Sequence, residues 1–515
     1  MRGPSSSHTA GPFFIGKAVR EMLAGPLRSA RIVFDPEGSF ASVYRNQGSD
    51  AGFAAGLMGF SIMEEAFNDS LSLAREAGVG ISFEVESLAE NRNTEELHPN
   101  AVLIEAVAQA GRTLRLRAAS IGGGQIRIDA VDGTPVSHDG SRVRLLVAGG
   151  SDCAAAELAR SVVRTLGLEH IQIVDNSSDG PGRSALCQGT ATALNTLFES
   201  LRATGRRAYL LPSTALIKYR GPDPLLDSVA ALLEGGAAHA ESLGQLGLTY
   251  EAHLLALSPE QVKSLMLDRW QVMAASVARG FASPNEPMRF LQPRAAAIRS
   301  AAIEGKLVCG GMLATAITAA LAVMETNSTR GVVCAAPTAG SAGIIPGVLF
   351  AFREEHGSSD ERIVSALFAM GVVGVLATTR ATFAAEVCGC AAETGVAAAM
   401  AAAGLVELGG GSMRDSLDAA ALCLMNTLGL VCDPVQGAVE IPCHARNIAG
   451  VAHALAATDA ALGGFRAVLP LDEVIDAMLH VGQQLPPALR CTSLGGLAAT
   501  PTARRLPAQI VHSKR

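Results

Sequence analysis

Aromatic residues are scarce in this chain, at 4% with a single Trp, and charged residues make up only 17%. Low charge with 49% apolar side chains argues against disorder. The 515 residues exceed what one core of usual size organises, so roughly two to four domains are expected. No basic run occurs before a short "KR" end, and 41 basic residues stand against 48 acidic ones for a net charge of −7. With a pI near 5.9, the chain lacks the electrostatic footprint of a nucleic-acid binder. The start, "MRGPSSSHTAGPFF", lacks the apolar core of a signal peptide, so a cytoplasmic protein is expected.

A long lipid-facing segment is missing as well. "LVCGGMLATAITAALAVM" (307–324) runs 18 residues without a charge and so meets the lower limit for spanning. Gly310, Gly311, Thr315 and Thr318 dilute it, no Trp or Tyr flanks it, and the Ala-rich stretches 364–379 and 396–406 look the same. A buried helix in a helical domain is the better reading, with no membrane partner.

The chain is rich in Ala, Leu, Val and 54 Gly, which suits tightly packed helices. The first part alternates apolar and polar residues in "ARIVFDPEG", "VGISFEVESL" and "GGQIRIDAVDG", as half-buried strands do, with "AGFAAGLMGFSIMEEAF" helical between them. A second unit begins near Arg142, and its β/α order through "RAYLLP" resembles a small ligand-sensing unit of the ACT type, with the strand around "SALCQG" poorly defined. From about Asp227 helical patterns dominate: 227–234, 259–280, 293–304, 307–325, 361–379, 391–408, 415–429, 444–462 and 471–483.

The chemically unusual residues fall on loops between these helices, where function carried on a rigid scaffold is expected. "CDPVQGAVEIPC" (432–443) sets two cysteines around two prolines, and "CGCAAETG" (388–395) adds another pair. Ten cysteines without a signal peptide read as free, catalytic or metal-bound thiols rather than disulfides. The C-x-C and C-x10-C spacings do not match a four-ligand zinc site, and a buried core role stays open for any one of them. "GPSSSHTAGP" (3–12) concentrates hydroxyls, one imidazole and amides; helix capping ahead of "FFIGKAVREML" is its plainer reading. "APTAGSAGIIPG" (336–347) offers Thr338, Ser341 and the amides of Ala339 and Gly340 as an anion-binding nest, or a plain tight turn. His8 and His98 are possible proton-transfer residues, though a lone histidine is often structural.

These motifs together resemble the bacterial iron–sulfur L-serine dehydratases. The α-part of that family is matched over 228 to about 506 by "APTAGSAGIIPGVLFA", "GCAAETGVAAAMAAAGLVELGGG", "LGLVCDPVQGAVEIPCHARN", "LDEVIDAM" and "GGLAATPT". The β-part is matched over 3 to about 140 by "GPSSSHTAGP", "GSFA", "HPNA" and "SIGGG". The resemblance implies an α+β chain: an α/β β-like domain (1–140), an ACT-like regulatory unit (141–213) and an all-helical catalytic domain (214–515). It implies a [4Fe–4S] cluster on Cys390, Cys432 and Cys443 with one iron left open as a Lewis acid. Pro434 and Pro442 would stiffen the ligand loop, and Cys388 would be a spare sulfur. Substrate would meet Ser5, Ser6, Ser7, Thr9, Thr338, Ala339, Gly340 and Ser341, with His8 and His98 as catalytic candidates. A homodimer is expected from the low charge.

The chain also departs from the family pattern. Gln47 stands in "NQGSD" where the family carries a candidate base histidine, and glutamine cannot take a proton near neutrality. Arg380 replaces an asparagine and, if it points into the pocket, favours a second carboxylate. Cys491 replaces a glutamate, the tail has no terminal cysteine, and the family's short leading helix is missing ahead of the SSSHT loop, which leaves room for a native start further upstream. L-serine is therefore the first expected substrate, another β-hydroxy acid such as 2-(hydroxymethyl)glutarate the second, and a non-catalytic amino-acid sensor the alternative from another class.

Overall fold

The computed structural model describes residues 1–88, 97–140, 143–147, 170–175, 183–188, 191–203, 207–212, 228–236, 241–255, 257–282 and 287–506. The chain divides into two compact units: Ser7–Tyr44 with Ser49–Tyr219, and Arg220–Arg515 together with Met1–Ser6 and Arg45–Gly48.

The α/β unit carries a six-stranded sheet in the order β2-β1-β3-β4-β5-β6, formed by β1 (Leu27–Phe34), β2 (Gly80–Val85), β3 (Ala101–Ala108), β4 (Thr113–Gly122), β5 (Gln125–Val131) and β6 (Thr134–His138). Only β1 and β2 run parallel; the remaining neighbours are antiparallel. The expected strands are present, and β3, β4 and β6 are added to them; "AVLIEAVA" of β3 reads equally as helix until its pairing on both sides is known. Helices α1 (Gly11–Leu23) and α2 (Ser49–Met58) pack closely on one another. The helix expected across 51–67 stops at Met58, because Gly59 turns left-handed at φ +82°.

Within the segment expected as the ACT-like unit, β7 (Arg144–Val147), β8 (His170–Asp175), β9 (Arg183–Gln188) and β10 (Ala208–Leu211) form a sheet in the order β10-β7-β9-β8. The ill-defined "SALCQG" strand is thus a central one. The helix expected at 153–167 lies outside the described residues.

The other unit is helical. Its centre is α6 (Thr394–Leu408), which packs on α4 (Ile344–His356), α5 (Asp360–Arg380), α7 (Met413–Met425) and α8 (Cys443–Leu462); α3 (Gly311–Ser328) packs on α4 and α8, and α9 (Leu471–Gln483) on α5 and α7. Nearly every residue of α6 is buried, as its all-apolar "VAAAMAAAGLV" requires. Among the described residues one helix, α5, is long and apolar enough to cross a membrane, and most of it is buried. Among the described residues, two 13-residue helices of this unit are absent from the sequence expectation. In Leu243–Leu255, Gly244 and Gly247 are packing residues rather than breakers: a Cβ on either would stand about 2.6 or 2.5 Å from the carbonyls of Ser365 and Phe368. In α4, Pro346 falls in the first turn, where its missing N–H costs nothing.

Small residues set the helix spacing in both units. A Cβ on Gly56 would lie 2.1 Å from the Phe13 carbonyl oxygen, and one on Gly16 would lie 2.6 Å from that of Phe53. Gly56→Ala is expected to force α1 and α2 apart and to destabilise the α/β unit by about 1–3 kcal/mol, read as a lower urea midpoint. An unchanged midpoint would show that the helices can separate without loss.

Candidate active site

Three helix starts in the helical unit carry the polar loops. Cys390 and Glu393 lie in the turn that leads into α6, Cys443 is the first residue of α8, and Thr338–Ser341 precede α4. The leading amides of a helix are partly positive and unpaired, so they favour thiolates and carboxylates. α6 packs on both α4 and α8, and the Ala339–Ser341 turn touches α6 and α8, which brings the three loops to one place.

The ligand atoms of Cys390, Glu393 and Cys432 lie within 4.8 Å of one another and could hold a metal ion. Sulfur is a soft donor, so the set suits zinc, copper(I) or iron–sulfur chemistry. Cys432 is hydrogen-bonded to both Cys390 and Cys491, and these three thiols pack with Ala385 in one buried cluster. Cys491 is held there by the backbone: Cys432 N–H donates to the Leu489 carbonyl (2.8 Å) and Cys491 N–H to the Cys432 carbonyl (2.8 Å), with Cys491 itself left-handed at φ 61°. Cys443 stands outside the tightest group and packs on Met324 and Val439. Burial, followed by the charges on Cys390 and Glu393, pushes its thiol well up, so it too stands within their field. Cys388 belongs elsewhere, pressed against Gly482 on α9, where burial pushes it up to about 11.

One cation serves this set. Arg446, one turn into α8, donates from Nη1 to Cys390 Sγ (3.1 Å) and from Nη2 to Asp433 Oδ1 (2.7 Å). Asp433 Oδ2 in turn accepts the Leu497 amide (2.7 Å). The hydrogen bond from Cys432 and the Arg446 charge pull Cys390 down to about 7 against the penalty of burial. The same bond, with that to Cys491, holds Cys432 well above the usual thiol range. The pair thus shares one proton, with Cys390 the thiolate because the guanidinium lies against its sulfur. Glu393 is raised well above the carboxylate range by burial and then by Cys390 and Glu386, while a hydrogen bond with Thr338 opposes the rise.

The predicted binding loops are partly spent on structure. The Ala339 amide, expected in the anion nest, donates to Ser6 Oγ (3.3 Å), and the Thr338 and Ser341 hydroxyls meet at 3.1 Å. Gly340 lies against Glu393, where a Cβ would be 3.3 Å from Oε2. Ser5 and Ser6 are buried in the helical unit. Ser7, His8 and Thr9 belong to the α/β unit and are buried there. His8 is flanked by Ser7 Oγ at Nδ1 (3.0 Å) and Ser39 Oγ at Nε2 (3.0 Å), with Phe40 edge-on at 5.0 Å. The capping alternative for this loop does not hold, since the N-cap of α1 is Ala10, which makes no side-chain cap hydrogen bond. His98 Nδ1 accepts the Asn100 amide (3.1 Å) in the turn before β3. Arg380 forks onto the Asp476 carboxylate through Nε (2.9 Å) and Nη2 (2.5 Å). The fork that a second carboxylate would engage is paired here with Asp476 on α9.

Glu393, Arg446, Asp433 and Asn447 were missed from sequence, although "AETG" and "CHARN" hold three of them. Asn447, four residues after Cys443, donates to the Gly340 and Cys443 carbonyls (both 2.8 Å) and accepts the Gly343 amide (3.0 Å), stitching two of the helix starts together. An i, i+3, i+4 pattern counted from Cys443 marks both Arg446 and Asn447 as facing the ligand loops.

The α/β unit and the helical unit with its buried thiol centre are each matched by a known family. The model described as serine dehydratase beta chain matches residues 2–130, and that described as serine dehydratase alpha chain matches residues 155–498. The chain belongs to the serine dehydratase family, with both parts fused. The α match begins inside the segment expected as the ACT-like unit, ahead of the expected boundary at 214. Similar proteins include the probable L-serine dehydratase alpha chain of Bacillus subtilis (40% identical over 263 residues, 51% of this chain and 88% of that one). The corresponding chain of Latilactobacillus sakei is 45% identical over 195 residues, 38% of this chain and 93% of that one. The L-serine dehydratase alpha chain of Peptoniphilus asaccharolyticus is 44% identical over 202 residues, 39% and 69%.

In metal-free, reduced protein, one thiolate is expected to appear as the pH rises through about 7, followed by its ultraviolet absorbance. Below that pH Cys390 is protonated, and above it Arg446 holds the anion. Arg446→Gln is expected to move the step up toward the free-thiol value of about 8.5. A step that does not move would remove Arg446 as its cause.

Proposed function

We propose that this chain dehydrates L-serine to pyruvate and ammonia with a [4Fe–4S] cluster held by Cys390, Cys432 and Cys443. The carrying observation is the convergence of buried thiols on Arg446 in a chain whose relatives are named L-serine dehydratases. The donor set fits the cofactor: soft sulfurs, shielded from water, with a cation and helix amides to balance anionic ligands. When bound, such a cluster supplies a Lewis-acidic iron that stabilises the hydroxide leaving the β-carbon.

The chain's own residues supply the rest. Arg446 holds Cys390 in its thiolate form, and Glu393 beside it, its carboxyl pushed well up by burial, resists adding a further negative charge. His8 is carried forward as the proton-transfer residue in preference to His98. The hydroxyls at both His8 ring nitrogens can donate or accept, whereas the His98 Nδ1 lone pair is engaged by a backbone amide. The enamine left by loss of water would hydrolyse in solution. L-serine is favoured over a dicarboxylate because Arg380 already pairs with Asp476. The β7–β10 sheet is read as a regulatory unit and the assembly as a homodimer.

Cys491 brings a fourth sulfur to a set that the family resemblance would leave with an open iron. Anaerobically purified protein is expected to be brown, to contain iron and to release pyruvate from L-serine. Cys390→Ser, Cys432→Ser and Cys443→Ser are each expected to lose most of the iron and the activity. Cys491→Ser is expected to keep both; loss of iron there would establish a four-thiolate site. Iron-free wild-type protein prepared without oxygen would overturn the reading.

A further inference from the structure

A pocket of about 330 Å3 opens on the helical unit, lined among others by Thr394, Asn426, Thr427, Leu430, Arg446 and His453. Three features point to what it takes. A guanidinium has five N–H donors, and Arg446 has two hydrogen bonds among the described residues, to Cys390 and Asp433. His453, seven residues further along α8 and so on the same face, has a buried Nδ1 with no hydrogen-bond partner. Thr394 is the first residue of the 15-residue α6, whose leading amides are unpaired within the helix and point positive.

We propose that this pocket binds a small carboxylate, with the spare Arg446 donors, His453 Nδ1 and the α6 start as its recognition groups. The site is distinct from the nest at Thr338–Ser341, part of which is spent on Ser6. Its position has a consequence, because one face of Arg446 grips a candidate cluster ligand while another reaches the pocket. The carboxylate can come from the substrate, which rests on the function proposed above, or from a second acid that does not react.

The test uses anaerobic full-length protein with propionate as the anionic probe, propionamide as its neutral match and L-alanine, which keeps the carboxylate and ammonium of serine but has no hydroxyl to lose. Calorimetry is expected to show binding of propionate and L-alanine and none of propionamide, independently of turnover and of iron content. Ala449 lines the same pocket from the exposed face of α8, so Ala449→Trp fills the pocket without touching Cys390. It and His453→Phe are each expected to weaken both carboxylates on the order of tenfold, in line with loss of one charge-assisted contact or of the space for it. The iron content and visible spectrum should stay unchanged. A matching rise in KM for L-serine at constant kcat identifies the substrate as the source; weakened propionate with an unchanged KM identifies a second, non-reacting carboxylate. Equal affinity for propionate and propionamide, or carboxylate binding unaffected by Ala449→Trp, overturns the site.

Discussion

A single buried guanidinium holds the centre of the helical unit together. Arg446 ties together segments far apart in the chain: Cys390 ahead of α6, Asp433 in the loop before α8, and, through Asp433, the amide of Leu497 near the C-terminus. A cation largely withdrawn from water is tolerated when its charge is matched. The Cys390 thiolate and the Asp433 carboxylate supply that match, and the cation in turn helps to pull the Cys390 thiol down. The pairing also explains a glycine. Gly496 adopts φ +58°, and a Cβ there would lie 2.3 Å from Asp433 Oδ2, so the glycine before Leu497 is required by close approach to the carboxylate.

The small-residue composition follows from the same constraint. Several polar loops converge only if the helices behind them sit close, and close helices need narrow faces. Helix α6 is almost entirely Ala, Gly, Val and Leu through its buried length. Gly343 before α4 and Gly347 within it lie against α3: a Cβ on Gly343 would be 2.5 Å from the Ala320 carbonyl oxygen, and one on Gly347 would be 2.9 Å from that of Ala316. Aromatic side chains would hold these backbones apart. Their scarcity in the helical unit is therefore a packing requirement of the site, while in the α/β unit Phe34, Phe40, Phe53 and Phe83 share one core cluster.

Helices with an unbroken apolar period, such as α5, α6 and α8, were legible in the sequence to within a few residues, as were the loops that carry Cys390, Cys432 and Cys443. What the sequence hid was partnership. Nothing in "LGQLGLTYEAHLL" says that its glycines face the carbonyls of α5, and nothing in "AVLIEAVA" says that strands flank it on both sides. Arg380 and Arg446 look alike as isolated arginines; only the neighbours separate them, Asp476 for the first and a thiol for the second. Glu393 was passed over because its unusual property, a carboxyl pushed well above the usual carboxylate range, arises from burial beside other acidic groups.

The departures from the family pattern were read from sequence as separate losses, yet two of them are in contact. Gln47 Nε2 lies 4.0 Å from Cys491 Sγ, and both residues belong to the helical unit. Where the family resemblance implies a histidine and a glutamate, this chain has an amide donor facing a sulfur acceptor. A titratable pair is replaced by one in which the amide carries no proton to transfer, and the replacement sulfur is hydrogen-bonded to Cys432. Changed together, they keep a donor and an acceptor in place and take a proton-exchanging pair out of that wall.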